Sequence, residues 1–325
     1  MDGKQIFNIE SKGEFDVQAL KVFRHQYDQN EVYREFCSYL GKSTENVGDI
    51  SEIPFLPISF FKSKEIISGK KHPEAIFTSS GTTGSQTSKH IVNRIALYEQ
   101  SFRKAFSLFY GNIEDYCVLA LLPSYLEREG SSLIYMVDDM IQKSKHPDSG
   151  FYLHDLDGLR EKLIALDASG QKVLLIGVSF ALLDMTESHS LRLNHTIVME
   201  TGGMKGRRKE LIREELHHIL KKGFGVQSIH SEYGMTELLS QGYSKGNGIF
   251  ETPPWMKILI RDTEDPLTYQ GHQKTGGINV IDLANIDSCA FIATQDLGKT
   301  YTNGSFEVLG RFDHSDVRGC NLMVL

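Results

Sequence analysis

The sequence predicts an α/β fold: a largely parallel, buried sheet flanked by helices, followed by a smaller β-rich subdomain. Two observations carry this expectation. Short apolar runs (Tyr116–Leu122, Val173–Ile176, Thr196–Met199) alternate with amphipathic stretches of helical spacing. Strands covered on both faces read as continuous apolar runs, and the intervening helices provide the crossovers of a parallel sheet. From Trp255 onward the texture changes, and strand-like segments follow one another with only turn residues between them. The chain is therefore divided into an α/β core over 1–254 and a β-rich subdomain over 255–325.

The elements follow in order. Phe15, Val17, Leu20, Phe23, Tyr27, Tyr33, Phe36 and Leu40 share a helical spacing, with a break expected near Asp28-Gln29-Asn30 and a stop at Gly41. The run Ile53 to Lys62 holds Pro54 and Pro57, which forbid a regular helix and favour an extended, buried connector. Ala75-Ile76-Phe77 reads as a strand, and His90 to Arg94 as its return. Tyr98 to Phe109 and Ser131 to Lys143 read as helices on either side of the Tyr116–Leu122 strand, which Pro123 ends. The alternation continues with helices over Leu159 to Leu166, Phe180 to Met185 and Arg207 to Lys222. Beyond Trp255, Lys257–Arg261, Gly277–Leu283, Ala290–Thr294 and Phe306–Leu309 are the expected strands.

Composition limits the function. At 325 residues, with 40% hydrophobic and 24% charged content, the chain is long enough for one large or two modest cores. A net charge of −7 argues against a general nucleic-acid binder, which carries a basic surplus. No apolar run approaches the ~20 residues of a transmembrane helix, and the N-terminus lacks a signal-peptide core. Cys37, Cys117, Cys289 and Cys320 show neither metal-type pairing nor disulfide density. A cytoplasmic location is the expectation.

Four stretches can carry chemistry. Thr78 to Lys89 leaves a strand and holds Ser80, Gly81, Thr82, Thr83 and Gly84 before a closing lysine. Such a loop can bring backbone N–H groups, hydroxyls and a cation to phosphate oxygens, although its composition also suits a flexible linker. It is not a Walker A loop, because Gln86 stands where a second glycine is needed. In Tyr233-Gly234-Met235-Thr236-Glu237, a hydroxyl and a hard carboxylate adjoin, which suits a magnesium–triphosphate complex; the pair is equally a helix start. Asp296 is read as a strand-end carboxylate able to accept from ribose hydroxyls, or as a turn aspartate. Arg311, at a turn in Gly310-Arg311-Phe312-Asp313, can pair a phosphate or ribose oxygen, or close a hairpin salt bridge. The basic run Lys205, Arg207, Arg208 and Lys209 is read at a helix start, where the dipole disfavours cations.

Together these motifs resemble, in order, those of the adenylate-forming superfamily of acyl-CoA synthetases and phenylacetate–CoA ligases. The closer resemblance is to LuxE-type acyl-protein synthetases. It is carried by Pro54-Phe55-Leu56-Pro57-Ile58, Leu122-Pro123-Ser124-Tyr125-Leu126-Glu127-Arg128, Gly202-Gly203-Met204-Lys205-Gly206 and Ser315-Asp316-Val317-Arg318-Gly319-Cys320. The resemblance implies the N-terminal-type domain of an adenylate-forming enzyme, with the superfamily's C-terminal lid and its lysine expected to be absent. It implies ATP and Mg²⁺, with Ser80, Gly81, Thr82, Thr83, Gly84 and Lys89 at the phosphates and Thr236 beside them. Glu237 is implied at the metal, Gly202, Gly203, Tyr233 and Gly234 around the nucleotide, and Asp296 and Arg311 at the ribose. Gln295 stands where the superfamily has glycine. Cys320, which by itself reads as a buried tail cysteine, matches the family's acyl-accepting thiol. The implied activity is conversion of a fatty acid into an acyl-adenylate, then transfer to a cysteine for an acyl-accepting or acyl-reducing protein partner.

Two other readings are open. Gly177-Val178-Ser179-Phe180-Ala181 follows an apolar strand and approaches a nucleophile elbow, which would make Ser179 the centre of a serine acyltransferase or hydrolase. Ala181 replaces the last glycine of that motif. A non-catalytic adenylate-binding scaffold is the other.

Overall fold

The structure is a computed structural model that describes residues 3–79, 87–123, 129–188, 190–202 and 211–312. Helix α1 (Lys12–Gln29) starts at a capping box, in which Ser11 accepts from the Glu14 amide and Glu14 reaches back to the cap. The predicted break falls at Asn30. Its extended backbone ends α1, and its side chain accepts from the Tyr33 amide to start α2 (Glu31–Tyr39). The connector with its two prolines is extended only as far as β1 (Leu56–Pro57). Past the last proline nothing prevents a helical turn, and α3 (Phe60–Ser63) forms where the sequence predicted extended chain.

Strands β2 (Ala75–Thr78) and β3 (Lys89–Val92) make a separate antiparallel pair. The core alternation then follows: α4 (Ile95–Tyr110), β4 (Tyr116–Leu121), α5 (Ser132–Ser144), β5 (Gly150–Phe151), α6 (Leu156–Ala168), β6 (Lys172–Gly177), α7 (Ser179–Ser188), β7 (Thr196–Glu200) and α8 (Arg213–Phe224). Every side chain of β4 is buried, as an interior parallel strand requires. Helix α8 begins at Arg213, not at Arg207. Ile212 is extended, and the first turn carries Glu214 and Glu215, the sign that the helix dipole favours. Residues 203–210, with the basic run, lie outside the described residues.

The sheet continues through β8 (His230–Tyr233), β9 (Gly242–Ser244), β10 (Ile249–Glu251), β11 (Met256–Arg261), β12 (Gly276–Asp282), β13 (Phe291–Thr300) and β14 (Phe306–Arg311). The twelve-stranded order is β11-β12-β13-β14-β10-β9-β8-β7-β6-β4-β5, with β1 added in parallel along β13. Neighbours from β5 to β8 are parallel, and those from β8 onward are antiparallel. Strands β8, β9 and β10 join the two halves and were not legible in the sequence, being three or four residues long and partly polar.

Helix α1 is fastened to the antiparallel half by buried polar bonds. Gln26 donates to the Asn285 and Ile286 carbonyls and accepts from the Ala290 amide, while Asn30 donates to the Ser288 carbonyl. The core is continuous from Phe23, edge-on to Phe291, and Tyr33, stacked on Phe291, to the β4–β6–β7 strands.

Candidate functional site

The motifs gather at the carboxyl ends of the parallel strands, where open α/β sheets place their ligands. Strand β6 leads into Ser179, β7 into Glu200 and Gly202, and β8 into the segment from Gly234 to Glu237. A Cβ on Gly234 would lie 2.3 Å from Glu232 Oε1, the end of a side chain that would have to shift. No helix follows Thr236 and Glu237. The Leu238 amide bonds back to the Met235 carbonyl in a turn, and the chain passes into β9.

The first cluster joins Tyr233, Asp296 and Arg311. The Tyr233 hydroxyl donates to Asp296 Oδ2 at 2.8 Å, and Arg311 Nε lies 3.2 Å from Oδ1. Asp296 is not at a strand end. It sits inside β13, opposite Arg311 across the ladder to β14, and a register shift follows at Leu297/Gly298. An aspartate belongs to such a strand only because neighbouring groups satisfy it; the residue is 7% exposed. Arg311 is likewise a strand residue rather than a turn residue, and its 75% exposed side chain spends one edge on Asp296. Burial, and then the Asp296 charge, hold the Tyr233 phenol well above its usual range, so it donates at any neutral pH.

The second cluster links the β2–β3 pair to the Thr236–Glu237 segment. The base of the phosphate-type loop is closed by Ser79 N to Ser88 O (3.1 Å) and Ser88 N to Ser79 Oγ (2.9 Å). Ser80, Gly81, Thr82, Thr83 and Gly84 lie outside the described residues. Lys89 stands exposed at the start of β3, opposite Thr78. Glu237, 5% exposed, is held by the Ser88 hydroxyl; burial raises its carboxyl above the usual range, and Ser88 opposes that rise.

Next to Lys89, the fully buried His90 makes a relay that the sequence did not signal. Its Nδ1 lies 2.8 Å from the Thr236 carbonyl and its Nε2 3.0 Å from Asn285 Oδ1, and Asn285 Nδ2 donates to the Glu237 carbonyl at 2.7 Å. A carbonyl only accepts, so all three bonds together need a proton on both ring nitrogens. Burial opposes that charge and pushes the pKa down to about 4. Near neutrality the ring is neutral, and the Nε2–Asn285 contact is the weak joint. Replacing His90 by alanine is expected to cost about 2–4 kcal/mol in chemical denaturation. The same variant is expected to raise the KM for ATP in pyrophosphate exchange. An unchanged KM would mean that the relay supports the fold alone.

A third network fixes the same segment from behind. The buried Asp282 accepts from the amides of Leu239 (2.7 Å) and Ser240 (3.0 Å) and from Ser240 Oγ (2.5 Å). Trp255 Nε1 donates to the hydroxyls of Ser101 (2.9 Å) and Ser240 (3.1 Å), which ties the segment to α4.

At β7, Glu200 Oε2 accepts from the Gly202 amide at 2.7 Å and from Ser179 Oγ at 3.3 Å, while His217 Nε2 lies 3.5 Å from Oε1. Burial would raise Glu200, but His217, Arg213, the Ser231 hydroxyl and the Gly202 amide together hold it below its usual range. Ser179 does begin a helix after a strand, yet it is 2% exposed and bonded to the carboxylate rather than to the imidazole. The order Ser–Glu–His places the imidazole beyond the acid, so His217 does not reach the hydroxyl as the base of a serine triad would. Gly202 has φ +73, a conformation open to glycine. Gly203 and Cys320 lie outside the described residues.

Among the described residues, no group of three or more His, Cys, Asp or Glu side chains is placed to hold a metal. The Glu237 carboxylate is a hard oxygen donor of the type Mg²⁺ takes when phosphates complete its shell. No described helix is long and apolar enough to cross a membrane.

The fold is that of adenylate-forming ligases. The chain aligns with 2-hydroxyisobutyryl-CoA ligase, solved in the postadenylation state with 2-HIB-AMP, at TM-score 0.65 and 10% identity, over 93% of this chain and 68% of that one. ATP-bound MatB from Rhodopseudomonas palustris aligns at TM-score 0.57 and 18% identity, over 75% of this chain and 49% of that one, so the match spans about half the MatB chain. Residues 8–113 match the family described as acyl-protein synthetase, LuxE. The long-chain-fatty-acid–luciferin-component ligase of Vibrio harveyi is 23% identical over 93% of this chain and 84% of that protein. The protein of the same name from Photorhabdus luminescens is 38% identical over 20% of this chain and 57% of its own length.

Proposed function

We propose that the protein activates a fatty acid with ATP and passes the acyl group to a cysteine thiol. The observation that supports this best is the convergence of three motifs distant in sequence. Ser88-Lys89-His90 is bonded to the Thr236–Glu237 segment, and Tyr233 of the same stretch holds Asp296. The acid class comes from the names of the two bacterial relatives.

A carboxylate resists nucleophiles because its charge repels them and oxide does not leave. In the proposed first step a carboxylate oxygen attacks the α-phosphorus of ATP, pyrophosphate departs, and the acid becomes a mixed anhydride with AMP. Ser80 to Gly84 with Lys89 hold the phosphates, and Thr236 adds a hydroxyl there. Asp296 and Arg311 position the ribose, while Gly202, Gly203, Tyr233 and Gly234 border the nucleotide. Glu237 would hold Mg²⁺, which would supply neutralisation of the phosphate charge. Positioning and charge neutralisation provide most of the rate in such transfers. In the second step the Cys320 thiolate attacks the acyl carbon, AMP leaves, and the thioester is offered to an acyl-accepting or acyl-reducing protein. Arg318, two residues away, favours the thiolate.

A pyrophosphate-exchange screen over acids of different chain lengths tests the first step, and at least one acid is expected to drive exchange. Incubation with that acid and ATP is expected to leave a hydroxylamine-labile mass adduct that disappears in Cys320→Ser. An adduct retained by the variant would remove Cys320 from the second step and leave the first standing.

A further inference from the structure

On the opposite face of β8 from Tyr233, two buried polar atoms without a hydrogen-bond partner among the described residues lie beside Glu232. Side chains alternate along a strand, so Glu232 points away from Asp296. Tyr243 of β9 lies directly across the ladder from Glu232, and the two side chains share a face. Tyr243 and Gln241 are 2% and 3% exposed, yet the Tyr243 hydroxyl and Gln241 Oε1 have no hydrogen-bond partner among the described residues. Gln241 belongs to the same place. The position that a Cβ would take on Gly234 lies 2.3 Å from Glu232 Oε1 and 3.4 Å from Gln241 Cγ.

Burying a polar group without a partner is costly, and native structures rarely leave one without a reason. Two at one spot point to an occupant from outside the chain. Gln241 Oε1 can only accept, and a carboxylate at 232 would also accept, so the occupant must donate. Burial, with Glu200 nearby, pushes the Glu232 carboxyl up to about 8, so near neutrality it can donate as well as accept. That balance matches a hydroxyl better than an ammonium ion. The cluster packs against Gly234, two residues before Thr236, so the occupant sits close to the region where the acid would meet the nucleotide.

We infer that Glu232, Gln241 and Tyr243 bind a hydroxyl group carried near the carboxyl of the substrate, and that the protein prefers such a hydroxy acid to the unsubstituted one. This rests on the acid-activating function proposed above. It is tested by calorimetric binding of 3-hydroxydecanoate, decanoate and 3-aminodecanoate to the full chain, with a non-hydrolysable ATP analogue present. The hydroxy acid is expected to bind at least tenfold more tightly than decanoate. Tyr243→Phe, which removes one unpartnered oxygen and keeps the ring, is expected to reduce that ratio to about threefold or less. A structural role alone would leave the ratio unchanged and make the variant no less stable. Equal binding of the two acids by the wild type overturns the inference and leaves the site to water, as does binding of neither. Tightest binding of the amino acid overturns the choice of a hydroxyl. Pyrophosphate exchange run in parallel judges activation separately: its absence with every acid would refute that function, while the binding ratio still decides this one.

Discussion

Asp296→Ala is expected to lower kcat/KM for ATP in acid-dependent pyrophosphate exchange by about 100- to 1000-fold. Two charge-assisted hydrogen bonds to ribose hydroxyls, at about 1.5–2 kcal/mol each, would supply about 3–4 kcal/mol, and tenfold corresponds to about 1.4 kcal/mol. Part of the loss is indirect, because Tyr233 and Arg311 lose the carboxylate that now orients both. The cost to the fold is smaller. Arg311 is 75% exposed and rehydrates, which leaves the buried Tyr233 hydroxyl as the main orphan, at about 1–3 kcal/mol. Activity and thermal stability should therefore separate: a large kinetic defect with a modest fall in Tm. Arg311→Ala, which removes the exposed partner, is expected to cost only about 3- to 10-fold. A fall of less than threefold for Asp296→Ala would mean that this carboxylate does not meet the nucleotide.

Asp282→Ala should have the largest effect on stability, about 3–5 kcal/mol, since it removes the acceptor for several buried donors at once. The same residue predicts a pH dependence. Burial raises its pKa from 3.8 to about 6, against the pull of Ser240 and the backbone amides around it. An unfolded chain releases this proton near pH 4, whereas the folded chain keeps it until about pH 6. Between those values unfolding releases a proton, so this group's contribution to stability falls as pH rises and is level above pH 6. The total change is about 3 kcal/mol, from roughly two units at 1.36 kcal/mol each. Urea titrations at pH 4, 5, 6 and 7 should show this slope as the difference between wild type and Asp282→Asn. A difference that is flat, or that rises with pH, would mean that the donors around Asp282 hold it ionised in the fold.

Much of the site was legible because its residues come in local strings. In Tyr233 to Glu237 the glycine, and the hydroxyl and acid beside it, can be recognised without the fold. The partners of those strings were not legible. His90 follows Lys89 with no feature of its own, and Asn285 is an ordinary turn residue in the sequence. Only the fold places them against the carbonyls of Thr236 and Glu237. Asp296 shows the limit from the other side. A carboxylate after an apolar run signals a strand end, because burying it costs several kcal/mol; the strand runs on because Tyr233 and Arg311, distant in sequence, meet that cost.

By itself the sequence determined the alternation of apolar strands and amphipathic helices, the helix break at Asn30 and the order of the nucleotide motifs. These depend on periodicity and backbone restriction, which act between near neighbours. The tertiary structure alone decided how the parallel and antiparallel halves join through β8, β9 and β10, and that Ser179 serves a buried glutamate. It also decided which polar atoms on the far face of β8 have no hydrogen-bond partner among the described residues. Those outcomes depend on desolvation and on hydrogen bonds between residues far apart in the chain, and no local pattern records which distant group will arrive.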